Sequence, residues 1–147
     1  MESTEELLAR LERLCQEWQE FLGLRDWRIK VEISSDRELV KDSWATIDIV
    51  RDKRHARIKV ADPRYGLPDD FWWEDEHDPE QSLLHELLHI YTRALGSFKN
   101  GSPQQIAEEQ AVNAISQALL RLKRPSGLSQ QMINWPVRVS GDGKRVR

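Results

Sequence analysis

The chain has 147 residues, 39% of them hydrophobic and 32% charged, with a net charge of −3. That length supports one core and argues against two domains, and the composition is that of an ordinary globular chain with a well-charged surface. No run of 18 apolar residues occurs, so no membrane span is expected, and the single cysteine, Cys15, excludes an internal disulfide.

The first predicted element is a helix from about Thr4 to Leu22, with Ser3 as N-cap and Glu6 at the capping-box position. Leu7, Leu11, Leu14, Trp18 and Phe21 recur at four- and three-residue steps and make one apolar stripe, which Gly23 ends. Cys15 falls among these positions and reads as a small core residue rather than a nucleophile. The acidic start of this segment lacks the basic-then-apolar order of a signal peptide. With one cysteine and no leader pattern, the cytoplasm is the expected location.

Three strands follow. Trp27, Ile29, Val31 and Ile33 alternate with charged residues, as a half-buried strand should. Ala45, Ile47 and Ile49 alternate in the next segment. Asp52-Lys53-Arg54 then makes a turn, and Ala56, Ile58 and Val60 alternate with Arg57 and Lys59, so that the last two strands predict a hairpin. Asp62 to Asp78 is a long connection carrying Tyr65, Phe71, Trp72, Trp73 and His77. A loop of that length is functional or disordered, and its aromatic cluster argues against disorder.

A second helix is predicted over about 79–95. Asp78 is its N-cap, Pro79 takes the first position, Gln81 has the capping-box spacing and Gly96 is the stop. Leu83, Leu84, Leu87, Leu88 and Leu95 give it an apolar side. It contains His85-Glu86-Leu87-Leu88-His89, the HExxH arrangement of zinc-dependent hydrolases. Residues four apart lie one helical turn apart on one face, so both imidazoles can reach one metal. Glu86 is close enough to that face to touch a metal-bound water without ligating the metal. Two half-buried histidines without a metal would each need a separate hydrogen-bond solution on a leucine-rich helix.

A third helix is predicted from Pro103, capped by Ser102 with Gln105 at the box spacing, to about Lys123. Its Glu108 and Glu109 suit a first turn facing water and the helix dipole. Beside an HExxH helix, however, the inward-facing member of the pair is expected to find a cation or a metal. The other two histidines, His55 and His77, precede the motif. The segment after Lys123 is locally basic. It reads as a terminal hairpin or solvated tail from 125 to 147 behind a domain of residues 1–124. A few basic residues with one nearby aromatic, Trp135, fall short of a nucleic-acid module.

An HExxH helix, a short connection and a following helix that supplies a Glu resembles the gluzincin branch of the zincin metallopeptidases. It is most similar to the compact single-domain members found in bacteria and phages, including peptidases that act on phage-type repressors. In that branch the third ligand often lies about twenty residues past the second His, with a polar second-shell residue four positions later. Glu109 stands 20 residues past His89 and Asn113 four beyond it, whereas the corresponding partner of Glu108 is the apolar Val112. The resemblance therefore implies Zn²⁺ held by His85, His89 and Glu109, with Glu108 as the alternative third ligand. No metzincin-type Gly and third His follow His89.

The resemblance further implies hydrolysis of peptide bonds in a protein or peptide substrate, with Glu86 as general base on the metal-bound water. It makes the strand before the HExxH helix, 56–61, the sheet edge to which an extended substrate pairs. Arg57 and Lys59 on it would then favour acidic substrates or, more simply, protect an edge from aggregation. Tyr65 and His77 become candidates for a position near the oxyanion. The metal and the base alone leave a non-peptide bond open. The alternative from another class is a non-catalytic zinc-containing regulator that binds nucleic acid or a protein partner. The expected fold is α+β: an N-terminal helix, a small antiparallel three-stranded sheet, the HExxH helix and a ligand helix.

Overall fold

The computed structural model describes residues 2–35, 44–63 and 78–124. The elements run α1 (Thr4–Leu22), β1 (Arg28–Ser34), β2 (Ala45–Val50), β3 (His55–Ala61), α2 (Pro79–Thr92) and α3 (Pro103–Lys123), an α+β chain. Residues 1–116 form one compact unit; a second comprises 117–147, of which only the end of α3 and Arg124 are described. The expectations for Tyr65, His77 and the tail from 125 onward lie outside the described residues. No helix among the described residues is long and apolar enough to cross a membrane.

Local chemistry sets the helix ends. The Ser3 side chain accepts from the Glu6 amide and the Glu6 carboxylate accepts from the Ser3 amide, closing the predicted capping box. Gly23 ends α1 at φ 75°, a left-handed conformation that costs glycine little. Asp78 caps α2 by accepting from the amides of both Glu80 and Gln81. The Ser102 hydroxyl accepts from the Gln105 amide as expected. The Gln105 carboxamide reaches the Gly101 amide instead, because the Ser102 amide already donates to the Lys99 carbonyl. The predicted helix over 79–95 is α-helical to Thr92 and finishes as a 3-10 turn over Arg93–Leu95.

The sheet is mixed, not antiparallel. Its order is β1-β3-β2, with β2 antiparallel to β3 and β1 parallel to it. The hairpin of β2 and β3 forms as predicted, across a 3-10 turn over Arg51–Lys53 with Arg54 at φ 52°. The assumption that sequential strands pair fails for β1 and β2, because β3 takes the centre. β3 is the strand with the most to hide: Ala56, Ile58 and Val60 are all buried. They align with Ile29, Val31 and Ile33 on one side and with Ile49, Ile47 and Ala45 on the other. The proposed substrate edge at 56–61 is therefore excluded, since both sides of β3 are already paired. Arg57 is no edge guard either; it reaches across to Asp48 at 3.2 Å.

One face of the sheet carries this apolar row, and the helices cover it. α1 packs on β1 and α2, and α2 packs on β2 and β3. Leu83, Leu84 and Leu87 of α2 are fully buried, and at about 25 cal/mol per Å² such side chains contribute roughly 2 kcal/mol each. The buried row of α1 is Leu7, Leu11, Cys15 and Trp18. Phe21, expected on that stripe, is 72% exposed and lies edge-on to Trp18 with ring centroids 5.7 Å apart. Cys15 is a core residue as read, and burial pushes its thiol up to about 12.

Two polar contacts fix α2 in place. At its start Glu80, buried, accepts from the Trp18 indole at 3.0 Å. At its end Arg51 donates to the Ile90 carbonyl at 3.0 Å, satisfying a C-terminal acceptor and complementing the helix dipole. The HExxH residues lie between these anchors.

Candidate metal centre

His85 and His89 stand on the face of α2 turned toward α3, and the 3.6-residue period brings their imidazoles together. The two Nε2 atoms are 3.1 Å apart. Glu109, in the second turn of α3, meets both: Oε2 lies 3.0 Å from Nε2 of His85 and Oε1 3.1 Å from Nε2 of His89. Ligand atoms of His85, His89 and Glu109 all lie within 4.8 Å of one another, and no other such group occurs among the described residues. His55 stands exposed at the start of β3 and is not among them.

The other ring nitrogens are engaged as well. Nδ1 of His85 donates to Oδ1 of Asn113 at 3.0 Å. Nδ1 of His89 lies 3.0 Å from Oε1 of Glu108 and 3.3 Å from the Thr92 hydroxyl. Each Nε2 faces a Glu109 oxygen, which can only accept, so a metal bound at the Nε2 atoms would have to displace the protons they share with Glu109. Glu108 is separate from the Nε2 cluster: its side chain is only 8% exposed and its second neighbour is Arg93, at 3.8 Å. Sequence reading paired Glu108 and Glu109 as rival ligands, and here they contact different atoms. Thr92 and Arg93 were missed, although Arg93 is four residues past His89 and so on the same helix face.

The donor set fits a zinc ion. Zinc takes imidazole nitrogen and carboxylate oxygen at about 2.0–2.2 Å in a tetrahedron, which separates any two ligand atoms by about 3.3 Å. The two Nε2 atoms, 3.1 Å apart, come near that separation, while Glu109 faces them through two different oxygens at 3.0 and 3.1 Å. Bound by these three residues, a four-coordinate zinc would have one position left for another ligand.

The electrostatics are those of a coupled cluster. Burial alone would lower the His85 pKa, but the hydrogen bond to Glu109, the charges of Glu86 and Glu109 and the Asn113 bond outweigh it and raise it above 6.5. Hydrogen bonds from both histidines hold Glu109 far below the usual carboxylate range. Glu86, 6% exposed, has its pKa raised by burial, against the pull of His85, His89 and Arg93. A carboxyl raised toward neutrality is the better proton acceptor there.

Beside the cluster is a cleft of about 320 Å³, formed by Arg93, Gln105, Glu108 and Glu109 and by Ser97, Phe98 and Asn100 of the α2–α3 connection. Glu109 belongs to both cleft and cluster. No protein-family model, curated protein or solved structure matches the chain.

Proposed function

We propose that the chain is a zinc-dependent hydrolase of peptide bonds, with His85, His89 and Glu109 as ligands and Glu86 as the proton-transferring residue. The observation that carries the reading is the convergence of two Nε2 atoms and a carboxylate at 3.0–3.1 Å while each Nδ1 atom is engaged elsewhere. A zinc ion in this site supplies a Lewis acid that polarises the scissile carbonyl and makes a water nucleophilic at neutral pH. Glu86 takes the proton from the attacking water and delivers it to the leaving amine. Its burial removes competing solvent and strengthens its interaction with the reacting atoms.

Substrate binding is best supported at β2, the sheet edge on the α2 side. The Ala61 amide donates to the Trp44 carbonyl, which makes Trp44 and Ala61 a hydrogen-bonded pair of the antiparallel ladder. Alternation then turns the amides and carbonyls of Ala45, Ile47 and Ile49 away from β3. The Ile47 carbonyl is reached by Arg93, at 3.4 Å, and Arg93 also contacts Glu108. An extended peptide laid along β2 would thus run beside the cluster, with the 320 Å³ cleft for one of its side chains. The buried thiol of Cys15 agrees with a reducing location, for which the cytoplasm is our proposal.

The test is metal analysis with activity on an unstructured protein substrate. Wild type is expected to carry one zinc per chain and to cleave, and Glu86→Gln to keep the metal and lose cleavage. A wild-type chain that takes up no zinc in chelator-free buffer would sink the reading.

A further inference from the structure

The two helices α1 and α2 pack on the side of the sheet that carries Val31, Ile47 and Ile58, and alternation sends the intervening side chains to the opposite face. There the register sets Arg28 beside His55, Lys30 beside Arg57 and Glu32 beside Lys59, with Asp48 on the far side of Arg57. Four fixed cations thus share the face with two acids, in a chain whose net charge is −3. Each acid is already paired, Asp48 with Arg57 at 3.2 Å and Glu32 with Lys30 at 3.1 Å. Among the described residues neither Arg28 nor Lys59 has an ion-pair partner. The side chains stand in water: that of Lys30 is 74% exposed and that of Arg57 50%. The cations run diagonally from Arg28 to Lys59, over about 13 Å of strand at about 3.3 Å per residue. On the other side of the sheet α1 carries five glutamates and two arginines, so charge is polarised across the sheet.

We propose that this sheet face binds the phosphate backbone of duplex nucleic acid without reading its sequence. A protein partner needs an apolar centre to desolvate, because buried aromatic and apolar anchors carry the affinity of such interfaces. This face has none: besides its charged residues and His55 it presents Ser34, Thr46 and Ala61, and Val50 at its border. Single strands bind through bases stacked on aromatic rings, and no Phe, Trp or Tyr of the three strands lies on this face. Phosphates require neither. Lysines and arginines that neutralise them release condensed counterions, and this supplies essentially all of non-specific binding. The acidic α1, turned away from the phosphates, orients the approach. The assignment is independent of the zinc reading, since it uses the side of the sheet away from α2.

The test is fluorescence anisotropy of the full chain with short labelled DNA and RNA duplexes over about 50–200 mM salt. With up to four phosphates neutralised at about −0.9 each, log K should fall with log salt at a slope of about −3 to −3.6, roughly 100-fold over that range. Arg28→Gln and Lys59→Gln should each reduce the slope by about 1. Replacing all four cations by glutamine should abolish binding. Arg13→Gln on α1 changes the net charge equally and should leave the slope as it is. Glu32→Gln should tighten binding, a gain that misfolding does not imitate. DNA and RNA should bind alike. A wild type that binds neither duplex at about 50 mM salt overturns the proposal, as does a quadruple variant that keeps the wild-type slope. Binding of polyglutamate in place of either duplex also overturns it and assigns the face to an acidic protein.

Discussion

The Nε2 atoms of His85 and His89 face each other at 3.1 Å, with the two oxygens of Glu109 taking one ring each. Nitrogen atoms that close need either a shared proton or a shared cation. The Glu109 oxygens can only accept, so without a metal they hold the protons of the two rings, and a cation would take the place of those protons.

Removing any of the three converging side chains should therefore remove the metal. His85→Ala, His89→Ala and Glu109→Ala are each expected to lower zinc affinity by more than about 100-fold, beyond what loss of an outer partner causes. Metal content after dialysis against a weak chelator checks this. One zinc per chain in all three variants would contradict it.

Glu86→Gln separates proton transfer from metal binding. Cleavage should fall at least 10²–10⁴-fold, the usual contribution of general acid–base catalysis, with zinc retained. The same variant should be as stable as wild type or more so at neutral pH. A buried acid whose folded pKa is raised costs stability once it ionises, so the advantage of Gln should grow as pH rises above about 4.5 and vanish below it. Urea unfolding of both proteins at pH 4 and pH 7.5 measures the difference.

The His85–Glu109 pair predicts opposite pH behaviour with and without metal. His85 is raised above 6.5, so its contribution is complete below that value and is lost as pH rises through the raised pKa. Glu109 is lowered from 4.5, so its contribution is complete above that value and is lost on acidification. The pair thus stabilises metal-free protein fully between about 4.5 and 6.5, and its thermal midpoint should decline above that window. Zinc must displace the histidine proton, so the rise in midpoint on adding zinc should increase with pH. Thermal melts from pH 5 to 8.5 with and without zinc decide this; a zinc-induced shift that shrinks with pH would refute it.

The Trp18–Glu80 hydrogen bond fixes the start of the HExxH helix against α1. Trp18→Phe removes one hydrogen bond to the buried Glu80 carboxylate, at a cost of about 1–3 kcal/mol. Denaturant midpoints should show this loss, with zinc affinity changed far less than by Glu109→Ala.

Substrate pairing on β2 makes Ile49→Pro informative. The Ile49 amide points away from β3, so proline there removes an edge donor without removing a ladder bond. Cleavage of an extended peptide should fall with zinc content unchanged, and wild-type cleavage would argue against β2 as the docking edge.

Much of this protein was written locally. Ser3 with Glu6, Asp78 with Pro79, and Ser102 with Gln105 are short-range capping signals, and they placed all three helices. Alternation placed all three strands, the spacing from His85 to His89 named the histidine pair, and the resemblance to gluzincins pointed to Glu109, with Glu108 as the alternative. Alternation and spacing are facts of helical and strand period, which sequence carries directly. The tertiary structure decided what period cannot. The central place of β3 follows from which strand has both flanks to cover, so among the described residues β1 and β2 are the outer strands of the sheet and 56–61 is not. The division between Glu108 and Glu109 follows from the approach of α3 to α2, since adjacent residues on a helix point about 100° apart and only the packing selects which reaches Nε2 and which reaches Nδ1.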